Sequence, residues 1–111
     1  QDHLKYMVEQ YRLRRDYVMR RISEIPGLSC HAPAGTFYAF IDISQLGMPC
    51  EEFAMKLLEE RQVVVVPGTA FGEFGEGYIR LSYATSMQCL EQGLQELEEF
   101  VRSHKTEGDP A

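Results

Sequence analysis

The stretch from Val63 to Ala84, VVVVPGTAFGEFGEGYIRLSYA, constrains the fold of this chain more than any other. It contains two apolar runs of strand length, and the second run carries Arg80 in its middle. The loop between the runs holds four glycines, whose backbone can bend where other residues cannot. A charge buried in a strand without a partner costs several kcal/mol, so Arg80 must have one. The stretch therefore predicts two strands, with an ion pair or an anion site at Arg80.

Both explanations of Arg80 are compatible with the spacing of the residues around it. In the second run, Arg80 shares a strand face with Ser82 and Ala84, two small residues that leave room beside it. A guanidinium binds a carboxylate through two parallel hydrogen bonds. The glycine spacing matches neither the phosphate loop GxxxxGK[ST] nor a GxGxxG sequence that opens a helix. We therefore expect a shaped loop beside a pocket rather than a phosphate cradle.

Apolar periodicity predicts three helices and three strands in the order helix, strand, helix, strand, strand, helix. The first helix is predicted over residues 2–25 and ends at Pro26-Gly27, and Pro33–Gly35 form a second break. The strands are predicted at Thr36–Ile43, Val63–Val66 and Tyr78–Ala84, the first buried on both faces. A middle helix begins near Pro49 and runs to Arg61, and a last helix carries Leu90, Leu94, Leu97 and Val101.

This order of elements predicts an α+β fold, in which helices pack on one face of a small mixed or antiparallel sheet behind a long first helix. One domain is expected over residues 1–104, followed by a flexible tail at 105–111. The chain starts with Gln1, inside a helical pattern that has no cap, so we expect a piece of a longer protein.

Composition excludes several classes of function. The formal net charge of −6 argues against nucleic acid and anionic membranes as partners, because both favour clustered Lys and Arg. No apolar run is long enough to span a membrane. The three cysteines, Cys30, Cys50 and Cys89, lie far apart and without CxxC spacing, so neither a disulfide framework nor a metal site is expected. A reducing, cytoplasmic location fits this use of cysteine.

Two motifs together resemble one enzyme family. They are PAGTFYAF and a pattern PGxxFGxxGxGYxRxS, which matches from Pro67 to Ser82. Both are similar to the C-terminal small domain of class I/II aminotransferases, the fold-type I family of aspartate aminotransferase, which uses pyridoxal 5′-phosphate. The resemblance extends over nearly the whole chain, from the long first helix to the last one.

The resemblance implies a function for the intact protein and roles for two residues. The protein would transfer an amino group between an amino acid and a 2-oxo acid, with Arg80 binding the α-carboxylate of the substrate and Phe37 helping to wall the substrate pocket. No catalytic or cofactor-binding residue is expected in this chain. Its lysines, Lys5, Lys56 and Lys105, do not lie in a segment like the one that bonds the cofactor. That segment belongs to a large domain, so this chain alone should be inactive, and the parent is expected to be a homodimer.

Two other readings of the sequence stay open. A lyase, a racemase or a cyclopropane-carboxylate synthase of the same fold type would carry a similar small domain. The chain could also be a non-catalytic binding module in which Arg80 only forms an ion pair.

Overall fold

The structure, a computed structural model, describes residues 2–32 and 36–105, with the backbone alone for Lys105. The predicted break at Pro33–Gly35 and residues 106–111 of the predicted tail lie outside the described residues. The helices and strands, in chain order, are α1 (Asp2–Ser23), β1 (Ser29–His31), β2 (Tyr38–Asp42), α2 (Cys50–Arg61), β3 (Val66–Pro67), β4 (Tyr78–Ser82) and α3 (Met87–Lys105).

The four strands form one antiparallel sheet in the order β1-β2-β4-β3. The two longest strands, β2 and β4, lie at its centre and pair along their whole length, from Tyr38 opposite Ser82 to Asp42 opposite Tyr78. The sheet and its three helices confirm the predicted α+β fold.

All three helices contribute to one core on a single face of the sheet. Alternate residues of β2 and β4 enter this core, and Ile79 and Leu81 lie on the face of β4 opposite to Arg80, as its alternation predicts. The buried side chains of the central strands and of the helices are Ala39, Ile41, Ile79, Leu81, Val18, Ile22, Cys50, Phe53, Leu57, Leu90, Leu94, Leu97, Phe100 and Val101. The other residues of β2, Tyr38, Phe40 and Asp42, are half-buried, so the prediction that this strand is buried on both faces was wrong.

The first helix enters the core only through its C-terminal half. Val18 and Ile22 are fully buried, whereas Leu4 and Val8 of the same apolar stripe are 63% and 61% exposed. The helix ends at Ser23, two residues before its predicted end, and Ile25 enters the core from the turn that follows. Gly27 lies in this turn with φ +90°, a conformation that favours glycine.

The predicted strands differ from the observed strands at two places, one where a predicted strand is mostly unpaired and one where a strand was missed. The run Val63–Val66 pairs with β4 only from Val66, and Val64 is 71% exposed. Its hydrophobicity reflects packing of Val65 into the core rather than a ladder of hydrogen bonds. Strand β1 was not predicted because its three residues, Ser-Cys-His, carry no apolar alternation.

Cys30, Cys50 and Cys89 are free thiols. Cys30 lies on β1, opposite Ile41 of β2. Burial raises the pKa of its thiol to about 11, so the thiol stays protonated at neutral pH. None of the helices in the described part of the chain is long and apolar enough to cross a membrane.

Candidate functional site

Arg80 lies at the middle of β4, on the sheet face that the helices leave open. It is directly opposite Phe40 of β2 and Val66 of β3. Residues that face each other across antiparallel strands project to the same side, so these three side chains share one face. Arg80 is half-buried there, while its neighbours Ile79 and Leu81 point into the core.

Two aromatic rings hold the guanidinium of Arg80. Its central carbon lies 4.6 Å from the ring centroid of Tyr38 and 4.3 Å from that of Phe71. Phe40 connects these rings, with its own ring edge-on to Tyr38 at 5.6 Å and to Phe71 at 6.2 Å. We call Tyr38, Phe40 and Phe71 the aromatic frame. A cation over a ring face is attracted by the π-electrons, and this contact leaves the N–H groups at the edge of the guanidinium free to donate.

Among residues 2–32 and 36–104, Arg80 forms no ion pair, and its N–H groups donate to no carboxylate or carbonyl oxygen. Other arginines of the chain do: Arg21 donates to Glu98 at 2.9 Å, and Arg61 donates to Glu99 at 3.0 Å. The described part of the chain therefore offers no internal carboxylate to explain Arg80 as a structural ion pair.

Two glycines close the loop that carries Phe71. A Cβ placed on Gly68 would collide with the carbonyl oxygen of Gly75, and a Cβ on Gly75 would collide with that of Gly68. The close approach that these glycines permit is thus between two parts of the loop itself. It folds residues 68–75 into two short 3₁₀ turns, and the first of these turns ends at Phe71, above Arg80.

A carboxylate ties the same loop to the start of α2. Glu76 accepts hydrogen bonds from the backbone N–H of Cys50, at 2.8 Å, and of Gly77, at 3.0 Å. A negative charge is stabilised at a helix N-terminus, where backbone N–H groups have no partner within the helix. Thr69 adds a second tie, because its hydroxyl donates to Glu51 of α2 at 2.9 Å. The loop is therefore attached to α2 near its start, at Thr69, and near its end, at Glu76, and these attachments keep Phe71 in place.

The structure does not bring Phe37 and Arg80 together. The ring of Phe37 is 47% exposed and lies against Tyr11 of α1, with the ring centroids 4.4 Å apart. It adjoins an apolar cavity between α1 and the sheet, whereas Arg80 projects from the other face.

The residues that do contact Arg80, Tyr38 and Phe71, were not identified from the sequence. Strand alternation carried a signal for Tyr38, because it shares a face with Phe40 and lies diagonally across from Arg80. No comparable signal existed for Phe71, which reaches Arg80 through the folding of its loop.

Lys5 and Lys56, the lysines whose side chains the structure describes, lie on α1 and α2. Lys56 pairs with Glu52 at 3.1 Å on the surface of α2, and Lys5 lies on the exposed part of α1. Neither lysine contacts the Arg80 side chain or the aromatic frame. In the part of the chain that the structure describes, no three His, Cys, Asp or Glu side chains are grouped as metal ligands.

Comparison with known proteins defines the class to which this fold and this site belong. The family model for aminotransferase class I and II matches residues 1–97. The chain therefore belongs to the class I and II aminotransferase family, and the resemblance seen in its motifs is confirmed.

Individual relatives agree with this assignment. The chain is 44% identical over 99 residues to an aspartate aminotransferase of Pyrococcus horikoshii, covering 89% of this chain and 25% of the relative. Among solved structures, it is similar to an aromatic aminotransferase from Pyrococcus horikoshii OT3, with a TM-score of 0.88 at 38% identity, covering 94% of this chain and 28% of that one. It is also similar to a PLP-bound protein from Clostridium difficile 630, with a TM-score of 0.84 at 28% identity, covering 91% of this chain and 26% of that one. The chain spans about a quarter of the length of the curated relatives that it matches, at 26% and 25% for the first two.

Proposed function

We propose that this chain is part of a pyridoxal-phosphate-dependent aminotransferase that moves an amino group between an amino acid and a 2-oxo acid. In this proposal Arg80 binds the α-carboxylate of the substrate. The observation that supports the role of Arg80 is its setting: a half-buried guanidinium held by two aromatic rings, with no carboxylate partner among the described residues. Membership of the class I and II aminotransferase family supports the reaction.

The chemical task of Arg80 follows from the shape of its side chain. A guanidinium presents two parallel N–H donors to a carboxylate, which fixes both the position and the plane of the bound group. With the carboxylate fixed, the Cα–H bond of the substrate is held in one orientation. Correct orientation of this kind can supply several kcal/mol of the barrier. In enzymes of this type the cofactor supplies the electronic chemistry, and the protein supplies binding and orientation.

The proposal extends to parts of the enzyme that this chain does not contain. A large domain would hold pyridoxal 5′-phosphate and its lysine, and the intact enzyme would be a cytoplasmic homodimer. Phe37 would help to wall the substrate pocket. This role rests on the resemblance alone, because the structure does not bring Phe37 and Arg80 together. The domain described here would move as a unit to close the site on its substrate.

The proposal is tested on the complete protein that carries this chain. Purified enzyme with pyridoxal 5′-phosphate is assayed with a panel of L-amino acids and 2-oxo acids, and both products of each reaction are quantified. Formation of a new amino acid and a new 2-oxo acid in equal amounts is expected. Racemised substrate, or an eliminated product without amino transfer, would instead identify another fold-type I enzyme. An inactive panel would reject the proposal.

The role of Arg80 is tested in the same assay with Arg80→Lys. We expect kcat/KM to fall about a hundredfold, because an ammonium cannot form the two parallel hydrogen bonds. The matched control is Arg20→Lys, since Arg20 is an exposed arginine that also lies over an aromatic ring, Tyr17, at 5.3 Å. The control should retain full activity. Full activity of Arg80→Lys would reject Arg80 as the carboxylate-binding residue while leaving the reaction itself standing.

A further inference from the structure

We infer that Tyr38 and Phe71 are positioning residues for Arg80, which hold its guanidinium so that only the N–H edge is presented to a ligand. This inference rests on the proposed function, because it assigns these rings a part in binding the substrate carboxylate. It concerns residues on different elements: Tyr38 lies on β2, and Phe71 lies at the end of a 3₁₀ turn in the loop before β4.

Two aromatic rings lie against the guanidinium of Arg80. Its carbon lies over both rings, 4.3 Å from the centroid of Phe71 and 4.6 Å from that of Tyr38. At these distances both rings lie against the guanidinium and take up space that water or a stacking ligand would otherwise occupy. The N–H groups lie in the plane of the guanidinium and are not used by a ring contact. A ligand must then approach in that plane, which is the geometry of a two-point carboxylate contact.

The rings around Arg80 are themselves held in place by their neighbours. Phe40 packs edge-on against both Tyr38 and Phe71, so the three rings of the aromatic frame support one another. The backbone under Phe71 is held by the Gly68–Gly75 approach and by Glu76, which accepts hydrogen bonds from the backbone N–H of Cys50 in α2 and of Gly77 in the loop. A long arginine side chain loses rotamer freedom when it binds a ligand. This entropic cost is smaller when the side chain is already held in the orientation that binds the ligand. The aromatic frame thus makes Arg80 ready to bind before the substrate arrives.

The first experiment observes the arginine directly and needs no enzyme activity. The complete protein is labelled with ¹⁵N,¹³C-arginine in a deuterated background, and the side-chain signals of Arg80 are assigned by their loss in Arg80→Lys. We expect the Arg80 side-chain protons to be shifted upfield by the two rings relative to those of the exposed Arg12. The shift should be reduced in Phe71→Leu and in Tyr38→Leu, and retained in Tyr38→Phe. The control is Phe74→Leu, which removes a ring of the same loop that is 90% exposed, and it should leave the Arg80 signals unchanged.

The second experiment measures steady-state kinetics of the same variants with the most active amino acid of the panel. Phe71→Leu and Tyr38→Leu should raise KM about five- to tenfold while kcat changes less than about twofold, as expected for weakened binding of the substrate. Tyr38→Phe should have the same KM as the wild-type enzyme, because the ring rather than the hydroxyl contacts Arg80. A variant that only destabilised the fold would lower the amount of active enzyme, and so kcat, without this selective rise in KM.

The two experiments separate failure of the inference from failure of the proposed function. Unshifted Arg80 signals, or signals that Phe71→Leu and Tyr38→Leu leave in place, would overturn the inference whatever the activity. An unchanged KM in both leucine variants would overturn it as well. If the parent transfers no amino group but the signals shift as expected, the proposed function fails while the positioning of Arg80 by the two rings stands.

Discussion

At the scale of the residue, Arg80 shows how a charge is accommodated in a strand that reads as apolar. Its neighbours along β4 are buried, but its own side chain projects to the opposite face, where aromatic rings rather than a carboxylate contact it. Cation–π contacts offset part of the cost of removing the guanidinium from water without neutralising its charge. The positive charge therefore remains available to an anionic ligand.

This setting predicts that Arg80 contributes little to folding. We expect Arg80→Ala to change the free energy of unfolding by no more than about 1 kcal/mol, because no buried carboxylate is left unpaired by its removal. In the complete enzyme the same change should cost about 3 kcal/mol in kcat/KM. Urea denaturation and steady-state kinetics, run side by side, check both values. A loss of roughly 3–5 kcal/mol in stability with unchanged kinetics would indicate a structural ion pair instead.

At the scale of the element, the loop between β3 and β4 is defined by contacts within itself and with α2. Gly68 and Gly75 approach so closely that neither can carry a Cβ, and Glu76 joins the loop to the first N–H of the helix. The loop thereby becomes a rigid support for Phe71, although two of its residues, Phe71 and Phe74, are exposed aromatics.

Replacing glycine by alanine should have opposite effects on stability in this loop and within a helix. Gly75→Ala should destabilise the fold by about 2 kcal/mol or more, because its Cβ would meet backbone atoms that cannot move aside. Gly93→Ala is the matched control: it lies within α3, nothing is near its added Cβ, and the change should stabilise by about 0.5–1 kcal/mol. Equal effects at the two positions, measured by urea denaturation, would contradict the close approach.

The junction of α1 and α3 predicts a specific dependence of stability on pH. Hydrogen bonds from Arg21 and then Arg102 lower the pKa of Glu98 below its ordinary value of 4.5. A carboxyl with a lowered pKa in the folded state stabilises fully above its ordinary pKa, and this contribution is lost as the pH falls through the lowered value. Wild type should therefore exceed Glu98→Gln in stability at pH 7, and the difference should shrink only below pH 4.5. Denaturation at pH 7, 5 and 3 checks the trend, and a difference that already shrinks between pH 7 and 5 would contradict it.

At the scale of the whole molecule, the core reaches only part of the long first helix. Leu4, Tyr6 and Val8 are exposed, whereas the second half of α1 packs against the sheet and α3. Most helical stability in proteins comes from tertiary packing, so the two halves of α1 must differ in stability.

Hydrogen exchange on the isolated 111-residue chain should reveal this difference. Amides in the first two turns of α1 should exchange much faster than those from Val18 to Ile22, because the early turns open without disturbing the core. The measurement is made at several protein concentrations. Equal protection along α1 in a monomer would contradict the prediction, and protection that appears only at high concentration would show that a second copy covers the apolar stripe.

Much of the fold was predictable from local patterns. The spacing of apolar residues located all three helices, and alternation in β4 assigned Ile79 and Arg80 to opposite faces. The family motif added Arg80 as the residue to examine. The failures were local as well: β1 is too short and polar to leave a periodic signal, and Val63–Val66 resembles a strand because it is apolar, although most of it pairs with no neighbour.

The sequence by itself determined the helices, the central strands and the identity of Arg80 as the residue without an obvious partner. These follow from the geometry of a few consecutive residues, where the periods of 3.6 and 2 apply. Only the tertiary structure decided which side chains surround Arg80 and which half of α1 is covered. Tyr38 and Phe71 are separated by 33 positions, and the contact of each with Arg80 requires the pairing of β2 with β4 and the closure of the glycine loop. Contacts of this kind depend on how elements pack in space, which no local pattern of residues encodes.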